Sequence, residues 1–188
     1  MNTTRLEAFS DGVIAILITI MVLEMKTPEG DSFKDLSSLT HVFFSYLLSF
    51  IFLGIYWNNH HHLLNKTTLV NSNILWANLN LLFWLSLLPF VTGWVGEHKF
   101  ASHPLALYGV ILLCASISYK ILVLAILQSD KNNEPIYSAY NNRHSKLAAT
   151  MVLNSIGIVF SFFAPILSLV IYASVALLWV IPDKRLET

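Results

Sequence analysis

The sequence predicts an all-α membrane protein, and three observations carry that prediction. The 188 residues are 55% hydrophobic and 12% charged, whereas soluble domains run near a quarter charged. Mean hydropathy is +0.63. Apolar runs of helical length recur between short polar links, and a bilayer-crossing helix needs about 20 apolar residues. The formal net charge is zero, which gives no reason to expect nucleic acid as a partner. Cys114 is the single cysteine. It lies in an apolar run, forms no internal disulfide and makes no zinc site alone, so it reads as small apolar filler.

The first helix is expected over about residues 4–25. It opens on a capping box, Thr4-x-x-Glu7, and stops before Pro28, with Gly30 beyond. At that length it reaches about 33 Å, enough to cross. Yet only residues 12–23 are free of charge and strong polarity at their start. To span, the helix must immerse Ser10 and Asp11 as well. A carboxylate at that depth is costly, so it should face protein or a water-filled cavity. The helix is therefore expected inside the protein, shielded by the other segments. Asp11 interrupts the apolar run, and no small-residue cleavage pattern follows Glu24 and Lys26, so the segment reads as a mature helix, not a signal peptide.

The second helix is expected over 41–63, ending in Trp57-Asn58-Asn59-His60-His61-His62. A short link, residues 65–68, suggests an antiparallel neighbour. The third helix, 69–95, carries Asn71, Asn73, Asn78 and Asn80 in its first half, and Pro89 should kink its end. The fourth, 104–127, contains Lys120. The longest polar stretch, residues 128–146, divides these from a closing hairpin of helices over 145–163 and 165–181, joined tightly at Ala164-Pro165. The chain thus reads as a single six-helix transmembrane domain over 1–188. Six crossings put both termini on one side. That side collects Arg5, Lys66, Lys131, Arg143, Lys146, Lys184 and Arg185, against Lys26, Lys34 and Lys99 opposite. The positive-inside rule then places both termini in the cytoplasm.

On a wheel of 100° per residue, Arg5, Ala8, Gly12, Ile16, Thr19 and Leu23 of the first helix share one stripe. Ser10 and Asp11 lie off it. Around a symmetry axis, Ile16 would form an apolar ring with Thr19 hydroxyls and a Leu23 ring above it, and such rings can gate by dewetting. Periodicity alone favours ordinary helix packing, since any transmembrane helix has such a stripe. It also leaves open whether Asp11 is structural or proton-relaying.

The run Arg5-x-x-x-Phe9-Ser10-Asp11-Gly12 resembles the first-helix signature of the transmembrane protein 175 family of potassium channels. The resemblance extends through Ile16, Thr19 and Leu23, and the helix count and total length fit one repeat unit. It implies a homotetramer with four first helices lining a central pore. Ile16 would be the narrowest point, Thr19 and Leu23 the next pore positions, with potassium passing near Ile16 and Thr19. Arg5, Ser10 and Asp11 would belong to a hydrogen-bond network that holds the helix in place, and the residues themselves suggest Phe9, His61 and Asn78 as its further members. The resemblance also implies a multi-pass protein of a bacterial cell membrane. Its partners would be copies of itself, lipid, potassium and other monovalent cations, with no cofactor.

Consecutive helical residues point about 100° apart, so His60, His61 and His62 cannot converge on one metal ion. One of them is expected to turn towards Asp11 or Ser10 while the others meet water. The asparagines of the third helix are expected to bond between helices, and Asn78 or Asn80 could complete the Asp11 network. No phosphate loop and no nucleophile–base pair is present, so an enzyme is not expected. The alternative to a channel is a proton-coupled secondary transporter that uses Asp11 and a histidine. Neither a pair of broken helices nor an inverted repeat supports it.

Overall fold

The computed structural model describes residues 3–130 and 134–180. Among them, all regular structure is helical: α1 (Thr3–Leu23), α2 (Phe33–Leu36), a 3₁₀ turn (Ser37–Leu39), α3 (Thr40–Asn65), α4 (Ser72–Ser86), α5 (Leu88–Glu97), α6 (Ser102–Ser129), α7 (Glu134–Ser161) and α8 (Pro165–Val180). Among the described residues, four stretches are long and apolar enough to cross a membrane: α1, residues 33–65, α4 with α5, and α6. The apolar α8 has 16 residues.

Sequence chemistry accounts for the element ends. Asn71, expected inside a helix that starts at residue 69, caps α4 instead: its side chain accepts from Ile74 N at 3.0 Å. Residues 72–97 are not one continuous helix. The chain breaks at Leu87, two residues before Pro89, because proline has no N–H to donate to the preceding turn. In the link after α1, Ser32 and Asp35 form a reciprocal capping box that starts α2.

The largest departure from the sequence reading is α7, which begins at Glu134, not near residue 145. Hydropathy places a membrane segment, but a helix can extend beyond it. Pro135 sits in the first turn, where its missing N–H costs nothing, and Ile136 is buried.

The bundle has α6 at its centre, packed along α4, α5, α7 and α8, while α3 runs against α5. Where α6, α7 and α8 cross, the glycines Gly109 and Gly157 admit the ring of Tyr172. That side chain is fully buried and donates to Leu105 O at 3.2 Å. Ser168 Oγ donates to Gly157 O at 2.8 Å in the same crossing. α1 lies at the edge and touches only α3, α4 and α5 among the helices it packs on substantially. It is shielded on one face and not, as expected, all round. Near its end Lys26 Nζ meets Glu97 Oε1 at 2.7 Å, and this hydrogen bond holds the Lys26 ammonium above its usual range.

A Cβ at Gly157 would stand 2.9 Å from Tyr172 Cζ and closer still to Cε1. Gly157→Ala should therefore destabilise by about 1–3 kcal/mol, as overpacked cores do. Thermal unfolding of the detergent-solubilised protein would register this, and an unchanged midpoint would contradict the packing described.

Candidate functional site

α1 has two faces of different chemistry. Leu6, Ser10, Ile14, Leu17 and Met21 are buried, at spacings of four, four, three and four, which trace one side of a helix. Arg5, Ala8, Gly12, Ile16, Thr19 and Leu23 are all exposed in the single chain. Ile16 is 56% and Leu23 80% exposed. Phe9 is also exposed.

A directed chain of hydrogen bonds grips the buried face. Ser10 Oγ donates to Leu6 O at 2.8 Å. It accepts from Asn78 Nδ2 of α4 at 2.9 Å. Asn78 Oδ1 in turn meets His60 Nε2 of α3 at 2.7 Å. Since Asn78 Nδ2 is the donor to Ser10, its Oδ1 must accept, so His60 is the Nε2–H donor. Every link has one direction, from His60 through Asn78 and Ser10 to the α1 backbone. Ser10, Asn78 and His60 are all 0% exposed, so no water competes for these bonds, and losing one partner strands the next.

A second link lies at the start of α1. His61 Nδ1 stands 2.7 Å from Glu7 Oε1, and His61 Nε2 stands 2.9 Å from Asn65 Nδ2. The Asn65 amide donates, so His61 accepts at Nε2 and donates at Nδ1 to Glu7. The Trp57 ring stacks on His61, with centroids 6.1 Å apart.

Of the predicted network, the structure thus joins Ser10 and Asn78 directly and brings His61 to α1 at Glu7. Asp11 Oδ1 is buried and has no hydrogen-bond partner among the described residues. Arg5 is exposed on the same side as Ile16. Of the three histidines only His60 is fully buried, and it bonds Asn78 of α4, while the part-exposed His61 meets Glu7 of α1. Asn80 turns away to α6, donating to Ser118 Oγ at 2.7 Å. Sequence reasoning named all three histidines without settling that His60 is the inward one. Helical phase held the signal: His60 follows Leu53 by seven residues and precedes Leu64 by four, and both are fully buried.

Thr19 Oγ1 donates to Ile16 O at 2.8 Å. Its hydrogen is thereby spent on the backbone, and the exposed hydroxyl oxygen presents lone pairs outward. Such an oxygen can receive a cation but cannot offer a proton to an anion.

Long apolar helices, an edge helix with buried polar anchors and an open face of mixed small and branched residues define an integral, multi-helix membrane protein. Residues 5–89 match the family described as "Endosomal/lysosomal potassium channel TMEM175". A protein of Chryseobacterium sp. (strain P1-3) named "Potassium channel HX13_20290" is 48% identical over 187 residues, covering 100% of this chain and 97% of the relative. A Chamaesiphon minutus protein named "Potassium channel Cha6605_3372" is 33% identical over 130 residues, 64% of each chain. The crystal structure of "a lysosomal potassium-selective channel TMEM175 homolog" from Chamaesiphon minutus superposes with a TM-score of 0.82 at 24% identity, covering 99% of this chain and 98% of that one. The chain belongs to the TMEM175 family.

Asn78→Ala should leave the His60 donor and the Ser10 oxygen buried without partners, a loss of about 1–3 kcal/mol for each stranded group. Asn80→Ala, whose amide is only partly buried, should cost less. Denaturation of both variants side by side in one detergent would test the ranking, and equal losses would deny the chain its special weight.

Proposed function

We propose that this chain is a potassium-permeable cation channel of a bacterial cell membrane, assembled as a homotetramer with four copies of α1 around a central axis. Ile16 forms the constriction. Thr19 and Leu23 line the path beyond it. Six crossings are counted by taking α4 with α5 as one and including α7 and α8, which leaves both termini in the cytoplasm. Lipid covers the outward aromatic faces.

One observation supports this reading above the others. Among the described residues, the face of α1 that carries Ile16, Thr19 and Leu23 is exposed, while the opposite face is fixed by buried polar bonds. Lipid is a poor cover for that face, because it also bears Arg5 in the first turn and the Thr19 hydroxyl towards the other end. Ala8 and Gly12 on the same stripe let neighbouring helices approach closely. The names of the relatives point the same way.

At the constriction, four Ile16 side chains offer no charge and no carbonyl. A narrow apolar ring resists wetting, so its width sets whether ions pass. Thr19 oxygens, oriented to accept, would steady a cation beside the ring. Arg5, Phe9, Ser10, Asp11, His61 and Asn78 set the tilt and register of α1 and act on permeation through position. A proton-coupled transporter built on Asp11 and a histidine is not favoured. The relatives carry channel names, and the histidine hydrogen bond to α1 is made at Glu7.

Purified protein in liposomes should carry a potassium current whose reversal potential follows the potassium gradient, without proton coupling. Saturable proton-linked counterflow would overturn the channel reading. Ile16→Asn should wet the ring, raising conductance several-fold and eroding discrimination between potassium and sodium; if it conducts and selects like the parent, the constriction lies elsewhere. Asp11→Ala should weaken the tetramer more than it alters conduction through assembled channels. Normal assembly with no current would mean that Asp11 acts on ions directly.

A further inference from the structure

A second polar site lies away from α1, lined by residues of α3, α6, α7 and α8. Asn154 of α7 is 1% exposed, and neither Oδ1 nor Nδ2 has a hydrogen-bond partner among the described residues. Its amide lines a cavity of about 30 Å³. Leaving such groups unsatisfied in an apolar interior is costly, and the chain is 55% hydrophobic.

The polar wall of the cavity has a legible donor and acceptor pattern. Thr150 Oγ1 accepts from Trp179 Nε1 at 2.8 Å and keeps its own proton to donate. Ser116 Oγ donates to Leu112 O at 2.8 Å. The 3.1 Å contact between Ser116 Oγ and Tyr56 OH is therefore donated by Tyr56, whose oxygen remains able to accept. With Asn154, the wall offers both donors and acceptors, and it holds no carboxylate among its lining residues.

Size decides the class of guest. A water needs roughly 10–15 Å³ of this kind of volume and two to four polar partners, whereas a benzene-sized guest occupies a cavity of about 150 Å³. The cavity found here suits one or two waters and is too small for a drug-like molecule. A dehydrated cation would lack a compensating charge. We propose that this cavity is a resident-water site, in which one or two ordered waters bonded to Asn154 bridge α7 to Tyr56 of α3. The closing pair α7–α8 would thereby be fastened to the helix whose His60 holds α1 from its other side.

The test is a map of the full-length protein at a resolution that shows ordered water, collected once in sodium and once in rubidium. A peak within hydrogen-bond reach of the Asn154 amide, without anomalous signal in rubidium, is expected in both. An anomalous rubidium peak would make it a cation site and overturn the proposal. So would density continuous with a lipid chain, or an Asn154 amide turned onto a protein group with no peak beside it. Asn154→Leu should remove the peak and keep or raise the thermal midpoint, because the unsatisfied amide goes with it. A peak that persists in Asn154→Leu would show that Asn154 is not its ligand. If that variant does not fold, the wild-type maps alone decide between water, cation and lipid.

Discussion

The structure depends on how α1 is held from one side only. A helix bearing Ser10 and Asp11 in its first half cannot float free in lipid. Apolar packing through Ile14, Leu17 and Met21 gives it adhesion but little register, since aliphatic contacts tolerate sliding and rotation. The bonds from His60 through Asn78 to Ser10 are directional and fully buried. They fix both the rotation and the height of α1. Because each group's donor role is set by the next, a wrong register would leave several buried polar groups unpaired at once.

α3 works on two sides of the bundle at once. Consecutive residues Asn59 and His60 lie about 100° apart on the helix. His60 serves the α1 side. Asn59 serves the other, where its carbonyl accepts from Tyr119 OH of α6 at 3.2 Å and its amide donates to Ile55 O at 2.8 Å. The Tyr172 crossing then packs α6, α7 and α8 closely at the back of the bundle. A closely packed back and a polar-locked edge helix together leave one open face with a defined set of side chains.

Much of this was legible in the residues. The all-helical class followed from composition and run length, because lipid imposes a length on any segment that crosses it. The two faces of α1 followed from its period. The break in the third predicted helix was marked by Pro89. The early start of α7 was not, since residues 134–144 are polar and hydropathy reports where a helix enters an apolar medium, not where it begins. Asn71 as a cap was equally hidden behind the run of asparagines around it.

By itself, the sequence determined that the chain is helical, that it belongs in a membrane, and which α1 side chains share a stripe. These are properties of single segments, set by hydropathy and a 3.6-residue period. Only the tertiary structure decided that His60 bonds Asn78, that His61 goes to Glu7, and that Asn154 lines a cavity. Those pairings join residues distant along the chain, and three adjacent histidines look alike until neighbouring helices give each one a different partner.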